Sequence, residues 1–336
     1  MLVPMSPVHR ELIQGLEKAR GGSSVICYAT GDRVNQQIQI GDDVLPILAQ
    51  HLGKIGKIEQ LDLLIYSRGG NTLTGFAIGN ALREFATKVC VLVPFRAHSC
   101  ATLIALSADT ITAGPFAQLS PIDPSITTPH NPTMQEGGES KFLPVSVEDV
   151  ANFLELVRKE VGLKDEQFMA GALTHLCTRV SPLALGSVYR AREQIGMLAR
   201  KLLALHIRDD ERITRIVKVL TRELLSHDYL IGRREAKTLG LQVEDAAPEQ
   251  ADLMWKIYED VAQELKLSEP WNWENEALGA QPRTAVQGLL QSRDLKHVFS
   301  STYQIKRTAV PSGPGGGGKK QETLQITVLK QAWEKV

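Results

Sequence analysis

Short apolar runs alternate with longer amphipathic segments in the first third of the chain. Runs rich in β-branched residues predict strands, whereas segments with apolar positions every three or four residues predict helices. The predicted strands are 23–29, 61–67, 88–94 and 109–114, and the predicted helices are 41–52, 72–86 and 99–108. Near-continuous apolar strands separated by helices are typical of a parallel sheet covered on both faces. We therefore expect an α/β fold with a mostly parallel sheet.

The pattern changes after residue 121. A polar loop rich in proline, glycine, serine and threonine precedes a helical second half, and "RREAKTLGLQVED" predicts a short helix followed by a strand. Near the C-terminus a helix precedes two predicted strands, 301–310 and 322–333, which a glycine-rich connector joins. We expect a domain over 1–248 and an extension over 249–336 that consists of a helix and a β-hairpin with a flexible loop.

Composition and charge narrow the classes of partner. Apolar residues make up 43% and charged residues 23%, which is ordinary for a globular protein with a large core. The 38 basic and 38 acidic residues give no net charge, so nucleic acid is not an expected partner. Four scattered cysteines form neither a disulfide framework nor a zinc motif. With no signal peptide, membrane anchor, metal motif or nucleotide motif in the sequence, we expect a cytoplasmic protein without a cofactor.

Two polar segments follow predicted strands, at the edge of a parallel sheet where sites are usually built. The first, "YSRGGN", contains Gly69 and Gly70, whose amides would suit either an oxyanion hole or a tight turn. The second, "RAHSC", places Ser99 where a helix of small residues begins. A serine at that position is either a nucleophile or an N-cap. The sequence pattern alone leaves both alternatives open.

Three blocks carry a family resemblance. "LDLLIYSRGGN", "VCVLVPFRAHSCATLIALSADTITAGPFAQLSPIDPS" and "HDYLIGRREAKTLGL" resemble, in that order, the Clp-protease-like serine peptidases with a crotonase-type fold. The chain looks most similar to the serine dehydrogenase proteinase family, related to signal peptide peptidase A and the membrane-bound stomatin-cleaving peptidases. The resemblance covers most of 25–241. It implies a peptidase with Ser99 as nucleophile and an oxyanion hole formed by the amides of Gly70 and Cys100.

The chain departs from the family pattern around the expected pocket. Arg68 stands where relatives usually have a proline, and His98 and Cys100 replace small residues beside the serine. The possible pocket residues are therefore Gly69, Arg68, His98 and Asp123. Cys100 is interpreted as a small buried thiol rather than a nucleophile.

The general base is the least determined part of the expected site. Where triad-type relatives carry a histidine, this chain has Asp123 or a neighbour, whereas a lysine corresponding to Lys141 serves in the signal-peptide-peptidase relatives. Burial by Phe142 and Leu143 would favour the neutral amine that such a base requires. The rival bases are His98, His130 and Lys164.

The function expected from these residues is hydrolysis of a peptide or protein substrate by a serine endopeptidase with a Ser–Lys dyad. Two alternatives stay open, namely a crotonase-like acyl-coenzyme A enzyme and a catalytically inactive assembly scaffold. The family resemblance also implies a homo-oligomer.

Overall fold

The computed structural model describes residues 7–122, 125–126, 128–136, 139–143, 145–162, 165–224, 226–277, 281–311 and 320–336. The chain divides into two compact units. Unit 1 comprises Met1–Leu119, Gly232–Arg234 and Gln242–Val336, and unit 2 comprises Ser120–Ile231 and Glu235–Leu241. The boundaries predicted at residues 248 and 249 stay a prediction.

Unit 1 is a mixed α/β structure built on one large sheet. Its helices are α1 (Pro7–Ala19), α2 (Leu45–Ile55), α3 (Thr72–Phe85), α4 (Cys100–Ala105), α10 (Pro248–Glu264) and α11 (Trp273–Glu276). Its strands are β1 (Ser24–Thr30), β2 (Ile58–Tyr66), β3 (Ala86–Val93), β4 (Arg96–Ala97), β5 (Thr110–Ala113), β6 (Gln118–Leu119), β12 (Val243–Asp245), β13 (Arg283–Ser292), β14 (Leu295–Pro311) and β15 (Lys320–Lys335).

The large sheet has eight strands in the order β12-β5-β3-β2-β1-β13-β14-β15. Neighbours from β12 to β1 are parallel, as the alternation of strands and helices predicts. The pairs from β1 to β15 are antiparallel. β13 was not predicted, because the polar residues Gln287, Gln291 and Ser292 interrupt its apolar pattern although all three are buried. The predicted glycine-rich connector lies largely outside the described residues.

Helices α1 and α10 bury their apolar stripes against one face of the sheet. Ile13 of α1 and Ile257 of α10 share a core with Leu64 of β2 and Leu92 of β3, and all four side chains are fully buried. Each such side chain contributes roughly 1.5–3 kcal/mol when it is removed from water. This core fixes the positions of β2 and β3, whose carboxyl ends lead into the two polar segments predicted from the sequence.

Unit 2 is mostly helical, as predicted. Its helices are α5 (Val147–Glu155), α6 (Glu166–Cys177), α7 (Pro182–Leu203) and α8 (Asp210–Lys218), and α9 (Arg233–Thr238) begins in unit 1. Its short strands are β7 (Ser125–Ile126), β8 (Thr133–Glu136), β9 (Glu139–Phe142), β10 (Val145–Ser146) and β11 (Ile231–Gly232), the last of which reaches unit 1. β8 pairs antiparallel with β9, and β7 with β10.

Candidate active site

The two polar segments lie together at one edge of the sheet in unit 1. The chain runs from β2 through Ser67–Asn71 into α3, and from β3 through Arg96–Ser99 into α4. Because β2 and β3 are parallel neighbours, both segments emerge at the same edge. A parallel bridge between Ser67 and Ala97 joins them directly.

Ser99 has an unusual backbone for a residue with a side chain. Its φ is 51° and its ψ is −115°, a conformation that costs about 1–3 kcal/mol and persists only where the surrounding structure imposes it. The Ser99 side chain makes no capping hydrogen bond to α4, although the helix begins at the next residue. This geometry argues against the N-cap, one of the two alternatives that the sequence pattern leaves open.

Hydrogen bonds on both sides hold this strained turn in place. The His98 amide donates to the Ser67 carbonyl at 3.0 Å, and the Ser67 amide donates to the Arg96 carbonyl at 3.0 Å. The Thr102 hydroxyl donates to the Ala97 carbonyl at 2.6 Å. The end of β2 and the first turn of α4 thus fix the backbone before and after Ser99.

The double glycine packs directly against Ser99. Gly69 has a φ of 114°, and a Cβ built there would lie 2.7 Å from Ser99 Cβ and 3.0 Å from Ser99 Oγ. The Gly69 amide donates to Ser67 Oγ at 2.9 Å, and that oxygen lies 2.6 Å from Thr30 Oγ1. Glycine at position 69 is therefore required by both its φ and its closeness to Ser99.

Two backbone amides near Ser99 are available for a ligand. The Ile40 amide donates to the Gly69 carbonyl at 2.9 Å, and Ile40 accepts from the Asn71 amide at 2.8 Å. This parallel pairing directs the Gly70 amide away from Ile40. Across the described residues, neither the Gly70 amide nor that of Cys100, the first residue of α4, donates a hydrogen bond within the chain.

The Cys100 thiol is buried, as expected. Its sulfur donates to the Asn71 carbonyl at 3.0 Å, and a Cβ at Gly75 would lie only 2.5 Å from it. Burial raises the pKa of Cys100 to about 12, so the thiolate is not formed at neutral pH. The Cys100 side chain is therefore a buried packing group.

Arg68 and Arg96 both bind Asp32, which follows β1. Arg68 Nε and Arg96 Nη1 each donate to Asp32 Oδ2 at 2.7 Å, and the Tyr66 hydroxyl donates to Oδ1 at 2.7 Å. Burial would raise the Asp32 pKa, but the hydrogen bonds from Arg68 and Tyr66 and the charge of Arg96 together lower it. Asp32 was not singled out from the sequence, although its position directly after a buried strand was a usable signal.

His98 forms part of the wall beside Ser99. Burial, followed by the charges of Arg96 and Arg68, lowers the His98 pKa to about 4, so the imidazole is neutral at pH 7. Its buried Nε2 has no hydrogen-bond partner within the described part of the chain. A base with such a low pKa takes up a proton weakly, which argues against His98 as the general base.

The predicted base lies in unit 2. Lys141 is on β9 opposite Met134 and is exposed. Its neighbours Phe142 and Leu143 are 46% and 38% exposed, so the expectation that they bury the amine is wrong within this unit.

The remaining expected residues lie in unit 2 or outside the described residues. The rival base His130 lies in an exposed turn of unit 2. Asp123 and the rival base Lys164 lie outside the described residues. The structure therefore brings together Arg68, Gly69, Gly70, His98, Ser99 and Cys100 in unit 1.

Two broader properties follow from the described residues. No group of three or more histidine, cysteine, aspartate or glutamate side chains in the described ranges is arranged to hold a metal ion. None of the helices that the structure describes combines the length and apolar character needed to cross a bilayer.

Comparison with known proteins finds a family model that matches part of the chain. Residues 36–160 match a family model described as the ClpP-like SDH-type serine proteinase. The predicted resemblance to the serine dehydrogenase proteinase family is confirmed over this segment. The matched segment contains the double glycine, Ser99 and Lys141.

Two relatives of known sequence are proteins described as uncharacterized. The uncharacterized proteins MJ0137 and MJ1495 of Methanocaldococcus jannaschii are 26% and 27% identical over 202 and 198 residues. These matches cover 60% and 59% of this chain and 59% and 56% of those proteins, so the chain spans less than two thirds of each relative's length.

Among solved structures, a serine-to-alanine mutant of the 1510-N membrane-bound stomatin-specific protease is similar at 12% identity. The match covers 63% of this chain and 75% of that one, with a TM-score of 0.35.

Proposed function

We propose that this chain is a serine endopeptidase with a Clp/crotonase-type fold and that Ser99 is its nucleophile. The observation that carries the proposal is the strained Ser99 backbone, whose side chain does not cap α4. Strained turns at the end of a strand are one way in which hydrolases present a nucleophile. The match of residues 36–160 to a serine proteinase family supports the same chemistry.

The proposed reaction has two stages. A base takes the proton of Ser99 Oγ as that oxygen forms a bond to the scissile carbonyl carbon, and the carbonyl oxygen becomes an oxyanion. Collapse breaks the C–N bond, the leaving amine takes the proton from the base, and an acyl-enzyme remains. Water then adds to the acyl carbon as the base takes one of its protons. The second tetrahedral intermediate collapses, the ester C–O bond to Ser99 Oγ breaks, and the base gives that proton to Ser99 Oγ as the acid leaves.

The amides of Gly70 and Cys100 are the proposed oxyanion hole. Both adjoin the Ser99 turn, and neither donates a hydrogen bond elsewhere in the described chain. A preorganised donor of this kind contributes about 3–4 kcal/mol to the stability of the transition state. Since both donors are backbone groups, side-chain substitution at Cys100 leaves its donor in place.

Lys141 stays the proposed base, by resemblance to the relatives that use a lysine. Its amine must be neutral to accept the serine proton, and burial is the usual cause of a lowered lysine pKa. Because Lys141 is exposed within unit 2, that burial has to come from bound substrate or from another part of the assembly.

The test of the nucleophile is covalent labelling with a fluorophosphonate. We expect one adduct, which peptide mass spectrometry locates at Ser99 and which S99A abolishes. C100A is the matched control, because it alters the adjacent side chain and keeps both the serine and the backbone amide. Folded protein that reacts nowhere, or that reacts equally well as S99A, would contradict the proposal.

Self-association through β15 is proposed for the homo-oligomer. β15 is the last strand of the large sheet, and its residues Ile326, Val328 and Leu329 are 41%, 52% and 53% exposed. Long apolar edge strands attract further strands. A second copy paired antiparallel about a two-fold axis at Ile326 would place Leu324 opposite Val328 and continue the sheet.

Light scattering coupled to size exclusion tests this interface. We expect an oligomer for the unaltered chain and a smaller species for V328K, whereas V34K changes a residue of equal exposure, 52%, away from β15 and should leave the mass unchanged. A monomer at micromolar concentration would rule out the interface.

A cytoplasmic location is also proposed, since the four cysteines are free thiols.

A further inference from the structure

Two arginines lie close to the Ser99 turn. Arg68 directly precedes Gly69, which packs against Ser99, and Arg96 lies three residues before Ser99. Both guanidinium charges act on His98, the residue next to Ser99. The positive charges are therefore part of the immediate surroundings of the proposed nucleophile.

The described charges in this cluster do not cancel. Asp32 is the carboxylate ion-paired with Arg68 and with Arg96, both through Oδ2, and neither arginine pairs with another acidic group in the described residues. Two positive charges and one negative charge leave one net positive charge. The Asp32 side chain is 9% exposed, Arg96 27% and Arg68 53%, so Arg68 presents this surplus charge to solvent.

The Arg68 side chain is held in place, and its donors are only partly used. Nε is bound to Asp32 at 2.7 Å, whereas the two terminal nitrogens donate no hydrogen bond to any described residue. The planar end of a guanidinium matches a carboxylate with two parallel hydrogen bonds. Because Asp32 already restrains the side chain, less conformational entropy is lost when a second carboxylate binds.

We propose that Arg68 binds a carboxylate of the substrate close to the bond that Ser99 attacks. The carboxylate comes either from an acidic side chain or from the free C-terminus of the substrate, and the same guanidinium fork recognises both. This inference rests on the proposed peptidase function and adds the substrate class to it. Arg68 acts in substrate selection and takes no part in proton transfer.

Matched peptides test the preference. Starting from any quenched fluorescent peptide that the chain cleaves, glutamate and glutamine are compared at each of the four positions on either side of the cleaved bond. A second pair compares a free C-terminal carboxylate with its amide. We expect the acidic member of one pair to have a kcat/KM about five- to tenfold higher in 50 mM salt, because ion pairs at the rim of a site are modest. The pair that shows the effect identifies the source of the carboxylate.

Two further measurements assign the preference to Arg68. The ratio of kcat/KM for the acidic peptide to that for its neutral partner should fall to about one in R68Q. It should stay unchanged in the control R10Q, which removes an arginine of similar exposure, 50%, that is ion-paired with Asp294 on unit 1. In the unaltered chain the ratio should also decrease towards one as the salt concentration rises to 0.5 M, which requires no variant.

Labelling distinguishes the two proposals. If Ser99 reacts with the fluorophosphonate and every acidic-to-neutral ratio is close to one, or if R68Q keeps the ratio, the carboxylate inference is wrong and the peptidase proposal stands. If Ser99 does not react and no peptide is cleaved, both are wrong.

Discussion

The Ser99 turn and the β9 segment around Lys141 carry the two halves of the proposed dyad in contrasting surroundings. Around Ser99, main-chain bonds to Ser67, the packing of Gly69 and the first turn of α4 determine the backbone. Lys141 lies on a four-residue strand of a two-stranded sheet, and its neighbour Phe142 is 46% exposed. Unit 1 thus fixes by itself the turn that carries the proposed nucleophile, whereas Lys141 lies exposed on a short strand of unit 2.

The largest effect is expected where the Ser99 turn is tightest. G69A places a methyl group 2.7 Å from Ser99 Cβ on a backbone with a φ of 114°, so the turn has to shift. We expect loss of fluorophosphonate labelling and a decrease of roughly 2–4 kcal/mol in the free energy of unfolding, measured in urea. G53A is the control, since a Cβ at that position in α2 has no atom within 4 Å. Normal labelling of G69A would show that the turn is not rigid.

The next largest effect is expected at Lys141, the proposed base. K141M keeps the length of the side chain and removes the amine, and we expect the second-order rate of fluorophosphonate labelling to fall about 10²–10⁴-fold. The labelling rate of the unaltered chain should rise with pH as the base loses its proton. K306M alters an exposed lysine on β14 and should label at the normal rate. An unchanged rate in K141M would exclude Lys141 and direct attention to His130 or Lys164.

The contrast between the Ser99 turn and β9 also separates the features that the sequence predicts from those that it does not. The strands and helices before residue 114 follow from apolar periodicity, and the double glycine marks the turn because few other residues adopt its backbone. The hydrogen bonds from Thr30 through Ser67 to Gly69 depend on the register of β1 against β2, which periodicity does not determine. Lys141 was identified by resemblance alone, and resemblance carries no information on burial.

Acid should lower the free energy of unfolding, and the protonation of His98 should account for part of the loss. Burial and the two arginines lower the His98 pKa from 6.5 to about 4, so unfolding takes up a proton between these values. The stabilising contribution of the neutral imidazole is complete above pH 6.5 and is lost as the pH falls towards 4. Because His98 is partly exposed, we expect this contribution to the free energy of unfolding to be about 1–2 kcal/mol. Urea titrations at pH 7 and pH 4.5 should show a smaller acid loss in H98Q than in the unaltered chain, and equal losses would count against this environment.

The smallest expected effect is that of F142A, which tests whether the Phe142 side chain on β9 is buried in solution. F142A removes a whole aromatic ring, yet with the ring 46% exposed we expect a change below about 0.5 kcal/mol in the free energy of unfolding. I65V removes one methylene group from a fully buried position on β2 and should destabilise the chain by about 1 kcal/mol. If F142A instead lowers the free energy of unfolding by more than I65V does, Phe142 is buried in solution by a surface that unit 2 does not provide. That same surface would then exclude water from Lys141, which is the condition that a neutral amine requires.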